Sequence, residues 1–351
     1  MDHEMEALVR NQTWNLVPKP KDVQPVSCKW VYKIKRKADG NIDRYKARLV
    51  SHGFSQKYGE DYKETFSPVA KMTLVRVVLA MAASHGWKLW QLDIKNALLY
   101  GELDKDIYME QPLGYVSNLH PNYVCNLKKE LYELKQASRA WYGKIAQYLI
   151  FCGYVALHLD PSLFVKKQED LLVIVLLYVD DMIITGNNDD EVARLQEELA
   201  IRFEIKKLGE LHHFLGLEVT NTSKGIFVTQ EGYAKKLVDR FGMKHSKKCS
   251  TTLEISTRLR REEGSLLADP KPFRALVGSL LYLNITRSDI VFSVRYVRRF
   301  MQSPRKPHLE ATKRILKYIN STLDMGLFFQ KKNDLILVGY TYADFGSDMD
   351  V

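Results

Sequence analysis

Cysteine is scarce in this sequence, and its four copies, Cys28, Cys125, Cys152 and Cys249, lie far apart with no Cys-x-x-Cys step and no histidine at ligand spacing. That pattern suggests neither a disulfide framework nor a zinc site, so the thiols are read as reduced and mostly packing residues. Long apolar runs are missing too. The longest, Leu171 to Val179, is roughly half of the ~20 residues that a membrane-crossing helix needs. No cleavable leader pattern precedes the first helical stretch, and the expectation is a soluble intracellular chain. Internal repeats and low-complexity tracts are absent. Acid is in deficit: 42 Asp and Glu face 52 Lys and Arg, leaving a formal charge of +10.

That imbalance suits a polyanionic partner such as RNA or DNA. Its distribution is more telling than its size. Lys29 to Val50 holds eight Lys or Arg against two acids, and Val291 to Asn320 holds eight against one. Two basic patches are expected. With 351 residues and 46% hydrophobic content, the chain can bury a large core and is long enough for two or more packed units.

Alternation from Lys29 sets Trp30, Tyr32 and Ile34 on one side of a strand and Lys29, Val31, Lys33 and Lys35 on the other. Asp39-Gly40 supplies a tight turn, and the returning strand sets Arg44, Lys46 and Arg48 against Tyr45, Ala47 and Leu49. The result is a hairpin with a basic face. Thr73 opens a helix that stops at Gly86, and Trp87 to Asp93 reads as a strand ending in a carboxylate. A long helix through Trp141, Ile145 and Leu149 precedes the apolar strand Leu171 to Tyr178, which meets a second apolar stretch, Met182 to Ile184, across the tip Val179-Asp180-Asp181.

Beyond Gly186 the pattern predicts a helix over Glu191 to Phe203, a turn at Leu208-Gly209 and a strand around Phe214 to Val219. The polar stretch from Cys249 to Pro272 reads as a linker. Two more helices are expected, one opened by Ser288-Asp289 and one with Pro307 in its first turn, before an apolar strand from Leu335 to Tyr340. The mixture of elements is α+β.

Adjacent aspartates at the tip of an apolar hairpin repel each other and lose hydration, a cost that divalent cations would remove. A third carboxylate at a neighbouring strand end, Asp93, would complete an oxygen set suited to magnesium. Such ions activate an attacking hydroxyl and stabilise a leaving pyrophosphate. The alternative is a solvated turn, since aspartate is common in turns.

The wider sequence decides between the two. Tyr178-Val179-Asp180-Asp181 resembles the YVDD box of reverse transcriptases, and its surroundings resemble the copia-type branch of LTR retrotransposons. The likeness runs through NQTWNLVP (Asn11 to Pro18), KWVYK (Lys29 to Lys33), YKARLV (Tyr45 to Val50), FSPV (Phe66 to Val69) and QLDIKNA (Gln91 to Ala97). It continues in YMEQP (Tyr108 to Pro112), LKQA (Leu134 to Ala137), RAW (Arg139 to Trp141), FLGLEV (Phe214 to Val219), VGSLLY (Val277 to Tyr282) and Thr286-Arg287.

The resemblance implies a right-hand polymerase fold with fingers, palm and thumb, followed by a connection-like α/β region. Residues 1–222 would form fingers and palm, 223–255 a thumb-like helical region, 256–335 a linker and connection-like region, and 336–351 the start of a truncated RNase H. It further implies an RNA-directed DNA polymerase working by two-metal nucleotidyl transfer; the alternative is an inactive nucleic-acid-binding remnant of such a polyprotein. Two magnesium ions, with manganese as substitute, would sit on Asp93, Asp180, Asp181 and the Ile94 carbonyl. Lys46, Arg48, Leu98 and Gln136 would face the deoxynucleoside triphosphate, while Tyr178, Phe214, Leu215 and Gly216 would meet primer and template. The implied partners are an RNA template with a DNA primer, or their hybrid, in the cytoplasm within a virus-like particle or in the nucleus. Lys206 or Lys207 could supply the general acid.

Several positions depart from the family pattern. Leu98 stands where an aromatic usually closes on the sugar, and Glu133 and Ser138 replace a glycine and a proline around Gln136. Ser288 replaces a proline. In Gly339 to Asp344, Tyr342 occupies the position of the first RNase H aspartate, and the sequence ends at Val351, so no RNase H activity is expected.

Overall fold

The computed structural model describes residues 1–36, 41–254, 258–331, 335–336 and 338–341. Helices and antiparallel strands are mixed along the chain, as the α+β reading requires. Two compact units form, one from residues 1–75 and 88–210, the other from 76–87 and 211–351.

In chain order the first unit holds helix α1 (Asp2–Arg10) and strands β1 (Trp14–Pro18), β2 (Cys28–Arg36) and β3 (Ile42–Ser51). Helix α2 (Met72–His85) carries the boundary between the units. After it come β4 (Leu89–Ile94), β5 (Glu102–Met109), β6 (Tyr123–Lys129), α3 (Ala137–Phe151), β7 (Val155–Leu157), β8 (Asp160–Gln168), β9 (Leu171–Tyr178), β10 (Asp181–Gly186), α4 (Asp189–Arg202) and β11 (Ile205–Glu210).

A six-stranded antiparallel sheet in the order β11-β4-β10-β9-β8-β7 is its centre. From one face Leu92, Val173, Val175, Leu177, Met182 and Ile184 join Trp141, Ile145 and Leu149 of α3 and Val192, Leu195 and Leu199 of α4 in a single core. Ile174, Leu176 and Ile183, which alternate with them, are buried as well. Burial on both faces explains why β9 reads as an unbroken apolar run instead of alternating. Strands β1, β6 and β5 make a smaller sheet whose core takes in Leu8, Leu49, Met109, Cys125, Leu127 and Leu134.

Strands β2 and β3 pair with Lys33 opposite Lys46, Lys35 opposite Arg44 and Val31 opposite Arg48, so the basic side chains share one face. Like charges set directly across a ladder are unfavourable unless something anionic lies against them. The expected Asp39-Gly40 turn lies outside the described residues. The expected turn at Leu208-Gly209 is not a turn. Those residues lie within β11, where the register with β4 shifts between Lys207 and Gly209 and Gly209 takes φ +87. A glycine that accepts positive φ lets the strand bulge and continue.

The second unit adds β12 (His213–Phe214), β13 (Leu217–Thr222), β14 (Gly225–Thr229), α5 (Glu231–Arg240), α6 (Lys271–Leu283), α7 (Val291–Arg298), α8 (Lys306–Ser321) and β15 (Leu327–Gln330). Its strands run β12-β13-β14-β15, and α5 to α8 pack around Phe273, Leu280, Val294, Ile315 and Ile319. Ser288-Asp289 opens a short 3-10 turn leading into α7, and Pro307 lies in the first turn of α8. His308 is buried, accepting from the Arg305 amide and bonded through Nε2 to the Arg260 carbonyl, a capping role. The strand expected at Leu335 to Tyr340 is absent from the described residues of that stretch, which are exposed and unpaired. Apolar sequence alone does not make a strand. The free edge of β14 is filled instead by Leu327–Gln330.

Candidate active site

The three candidate aspartates lie in the first unit, on β4 and at the β9–β10 hairpin. Asp93 stands near the end of β4, and the antiparallel register sets it opposite Asp181, the first residue of β10. Tyr178 pairs with Asp181 across the β9–β10 hairpin, leaving Val179 and Asp180 as a two-residue tip. The Ile94 amide donates to the Asp180 carbonyl at 2.9 Å, which ties the tip to β4. All three aspartates are half-buried.

Val179 adopts φ +55, a left-handed conformation that a β-branched residue rarely takes and that typically costs ~1–3 kcal/mol. What holds it there comes from below. Trp141 of α3, fully buried, donates its indole N–H to the Val179 carbonyl at 2.7 Å. The indole is itself fixed by edge-to-face contact with Phe203 and by Tyr100, with ring centroids 5.4 Å and 5.9 Å away.

The carboxyl of Asp181 is pushed up to about 6, first by burial and then by the charges of Asp180 and Asp93, with a hydrogen bond from Gln91 opposing. Negative charge is therefore crowded here beyond what the protein compensates. The donor set suits a hard divalent cation, being carboxylate oxygen with a backbone carbonyl beside it. Among the described residues, however, no group of three or more His, Cys, Asp and Glu side chains forms a preformed metal site. The aspartates are neighbours by strand register and do not close into a cage by themselves. Lys206 of β11 lies opposite Asp93, whereas Lys207 is engaged by Glu197 of α4.

On β3, Arg48 places its guanidinium over the ring of Tyr132, 4.7 Å from the centroid. The ammonium of Lys46, two residues away on the same strand face, is held below its ordinary range by burial and then by Arg48. Gln136 caps the start of α3 and is committed at both ends of its amide. Its Nε2 donates to Glu130 at 3.0 Å and its Oε1 accepts from Gln56 at 3.0 Å. Gln56 in turn accepts from the Lys135 amide. Glu130 is fully buried, and burial pushes its carboxyl up to about 8. Glu133, the residue at a glycine position of the family pattern, has φ +68; glycine takes that conformation without a Cβ penalty. Leu98 sits half-buried in the 3-10 turn Ala97–Tyr100, against two of the cores.

Phe214, Leu215 and Gly216 lie in the second unit. Phe214 pairs with Leu217, so Leu215-Gly216 is a two-residue hairpin loop with φ +52 and +78, both positive as a type I′ turn demands. The Tyr282 hydroxyl donates to the Leu215 carbonyl at 2.7 Å, and a Cβ on Gly216 would fall 2.1 Å from that hydroxyl. Only glycine fits there. Sequence reasoning did not find Gln56, Gln91, Glu130, Tyr132 or the bond made by Trp141. For Trp141 and Gln91 the RAW and QLDIKNA motifs were pointers without a role; for Gln56, Glu130 and Tyr132 the only pointer would have been tertiary proximity.

Comparison with known proteins follows the same line. The chain matches the family described as reverse transcriptase (RNA-dependent DNA polymerase) over residues 11–255. It is 43% identical over its whole length to the retrovirus-related Pol polyprotein from transposon RE1 of Arabidopsis thaliana, and 41% identical to that from transposon TNT 1-94 of Nicotiana tabacum. It spans 24% and 27% of those two relatives. A putative transposon Ty5-1 protein of Saccharomyces cerevisiae is 30% identical over 74% of this chain and 85% of that protein. The chain belongs to the reverse transcriptase family, and its likeness to retrotransposon Pol polyproteins bears out the copia-type resemblance of its motifs. No helix among the described residues is long and apolar enough to cross a membrane.

Proposed function

We propose that the chain carries the polymerising core of an RNA-directed DNA polymerase, with fingers and palm in residues 1–222, a thumb-like region in 223–255, a connection-like region in 256–335 and an RNase H-like start beyond. The observation that carries the reading is the register that sets Asp181 across from Asp93 and beside Asp180 on a tied hairpin tip. Asp93, Asp180, Asp181 and the Ile94 carbonyl would hold magnesium, or manganese in its place, which when bound lowers the barrier to attack by a primer hydroxyl on a nucleotide phosphorus.

The chain's own residues do the rest. Lys46 and Arg48 bind the triphosphate of a deoxynucleotide, guanidinium and ammonium neutralising phosphate charge. Gln136 and Leu98 bound the nucleotide pocket. Tyr178, beside Asp181 in the register, supports the primer end, and the Phe214 to Gly216 hairpin contacts primer backbone. Lys206, rather than the engaged Lys207, donates a proton to the departing pyrophosphate. The basic hairpin face lies along an RNA template paired with a DNA primer.

Primer extension on an RNA template with magnesium tests this. Extension is expected from the chain and is lost in Asp180→Asn; hybrid binding without any extension would favour the inactive remnant, a reading to which Leu98 and the strained Glu133 lend weight.

A further inference from the structure

We infer that Tyr132 is a positioning residue for nucleotide binding: its ring is the platform that carries Arg48, fixing the guanidinium where a triphosphate must be met. The inference rests on the polymerase reading above and adds to it a residue that makes no contact with the reacting atoms.

Arg48 has little else to hold it. Its Nε is buried without a hydrogen-bond partner, and among the described residues it joins no ion pair. Glu4 of α1 is near enough to be felt electrostatically by both Arg48 and Lys46, yet its own Oε1 is buried without a partner. An arginine in that condition would swing among rotamers, losing the pre-organisation that makes a phosphate clamp effective. The Tyr132 ring supplies what is missing, since a guanidinium 4.7 Å from a ring centroid is in cation–π contact.

The ring can act as a platform because its backbone is tied to β3. The Tyr132 carbonyl accepts from both the amide and the hydroxyl of Ser51, each at 3.0 Å, and Tyr132 forms a β-bridge with Val50. Ser51 is fully buried at the end of β3, three residues from Arg48. Strand and platform therefore form one rigid piece. Tyr132 also senses the charges of Asp180 and Asp93, which places the ring, and the arginine on it, within electrostatic reach of the aspartates. Burial pushes the phenol up to about 12, so the platform stays neutral and adds no anion to repel a triphosphate.

The test is a set of variants read two ways: single-nucleotide primer extension with magnesium, and equilibrium binding of a fluorescent deoxynucleoside triphosphate by anisotropy. Tyr132→Leu is expected to raise KM and the dissociation constant about tenfold while kcat stays within about twofold. Tyr132→Phe and Tyr132→Trp, which keep a ring, should behave as the parent chain. In an Arg48→Lys background, Tyr132→Leu should add less than about twofold, because the platform acts only through the guanidinium. An unchanged KM in Tyr132→Leu, a loss confined to kcat, or the full tenfold loss persisting in the Arg48→Lys background would each overturn the inference. If the parent chain extends no primer, the polymerase reading falls, and the binding measurements alone decide the role of Tyr132. A parent chain that binds no nucleotide overturns both.

Discussion

At the scale of single residues, the buried acid Glu130 makes the sharpest claim. It is 1% exposed, its neighbour in charge is Asp104 on β5, and its one side-chain partner among the described residues is the Gln136 amide. Burial raises its folded-state value to about 8 from the 4.5 of a free glutamate. The folded chain therefore keeps a proton that the unfolded chain has lost throughout that window. More protons bound in the folded state means stability falls as pH rises, from about 4.5 up through about 8. The loss over the window is on the order of 3–5 kcal/mol. Glu130→Gln leaves an acceptor for Gln136 and nothing to ionise. Urea midpoints measured from pH 5 to 8.5 should separate the two proteins increasingly with pH, the variant being the more stable at the alkaline end. Parallel curves would mean that Glu130 is hydrated or paired in solution and titrates like an ordinary carboxylate.

At the scale of elements, the β9–β10 hairpin shows what sequence can and cannot convey. Its two apolar arms, the aspartate pair between them and the strand carrying Asp93 near its end are legible because burial on both faces writes continuous apolar runs. The basic face of β2 and β3 is legible from alternation for a similar reason. The brace under the tip is not. Trp141 reaches Val179 across 38 residues of chain, and Gln56 reaches Gln136 across 80; periodicity within one element carries no trace of either. The bulge at Gly209 is hidden because a glycine signals a turn as readily as a bulge until its neighbours are known. The brace carries a prediction. Trp141→Phe keeps most of the ring packing and removes the N–H donor, stranding the Val179 carbonyl, at a cost of ~1–2 kcal/mol. The relaxed tip should lower kcat for primer extension about tenfold with KM little changed, because Asp180 follows Val179 directly and uniform nucleotide binding does not depend on it. Thermal melting alongside extension separates the two effects; an unaltered kcat would show that the hairpin holds its strained residue unaided.

At the scale of the whole molecule the question is where the net charge of +10 is spent. Sequence counts eight basic residues in each of two stretches, but the structure uses them differently. In the second unit Arg305 donates to the carbonyls of Arg261 and Gly264, and Arg314 is paired with Glu254. Those side chains serve the fold before any ligand. In the β2–β3 hairpin Lys33 faces Lys46 and Lys35 faces Arg44, and Lys33 and Arg44 are exposed. Cations arrayed against cations are relieved by a polyanion, so this face should carry a disproportionate share of phosphate contacts. Counterion release makes the share measurable, since each phosphate neutralised on a duplex contributes about 0.9 to the slope of log affinity against log salt. Replacing Lys33, Lys35 and Arg44 together by Gln should lower the slope for an RNA–DNA hybrid by ~2–3, weakening binding most at low salt and leaving sequence preference untouched. Neutralising Lys313 and Lys317 of α8, in the other basic stretch, is the control. If that pair lowers the slope as much per charge as the hairpin triple does, the hairpin face holds no special claim on the nucleic acid; if the triple leaves the slope unchanged, the template does not run along it.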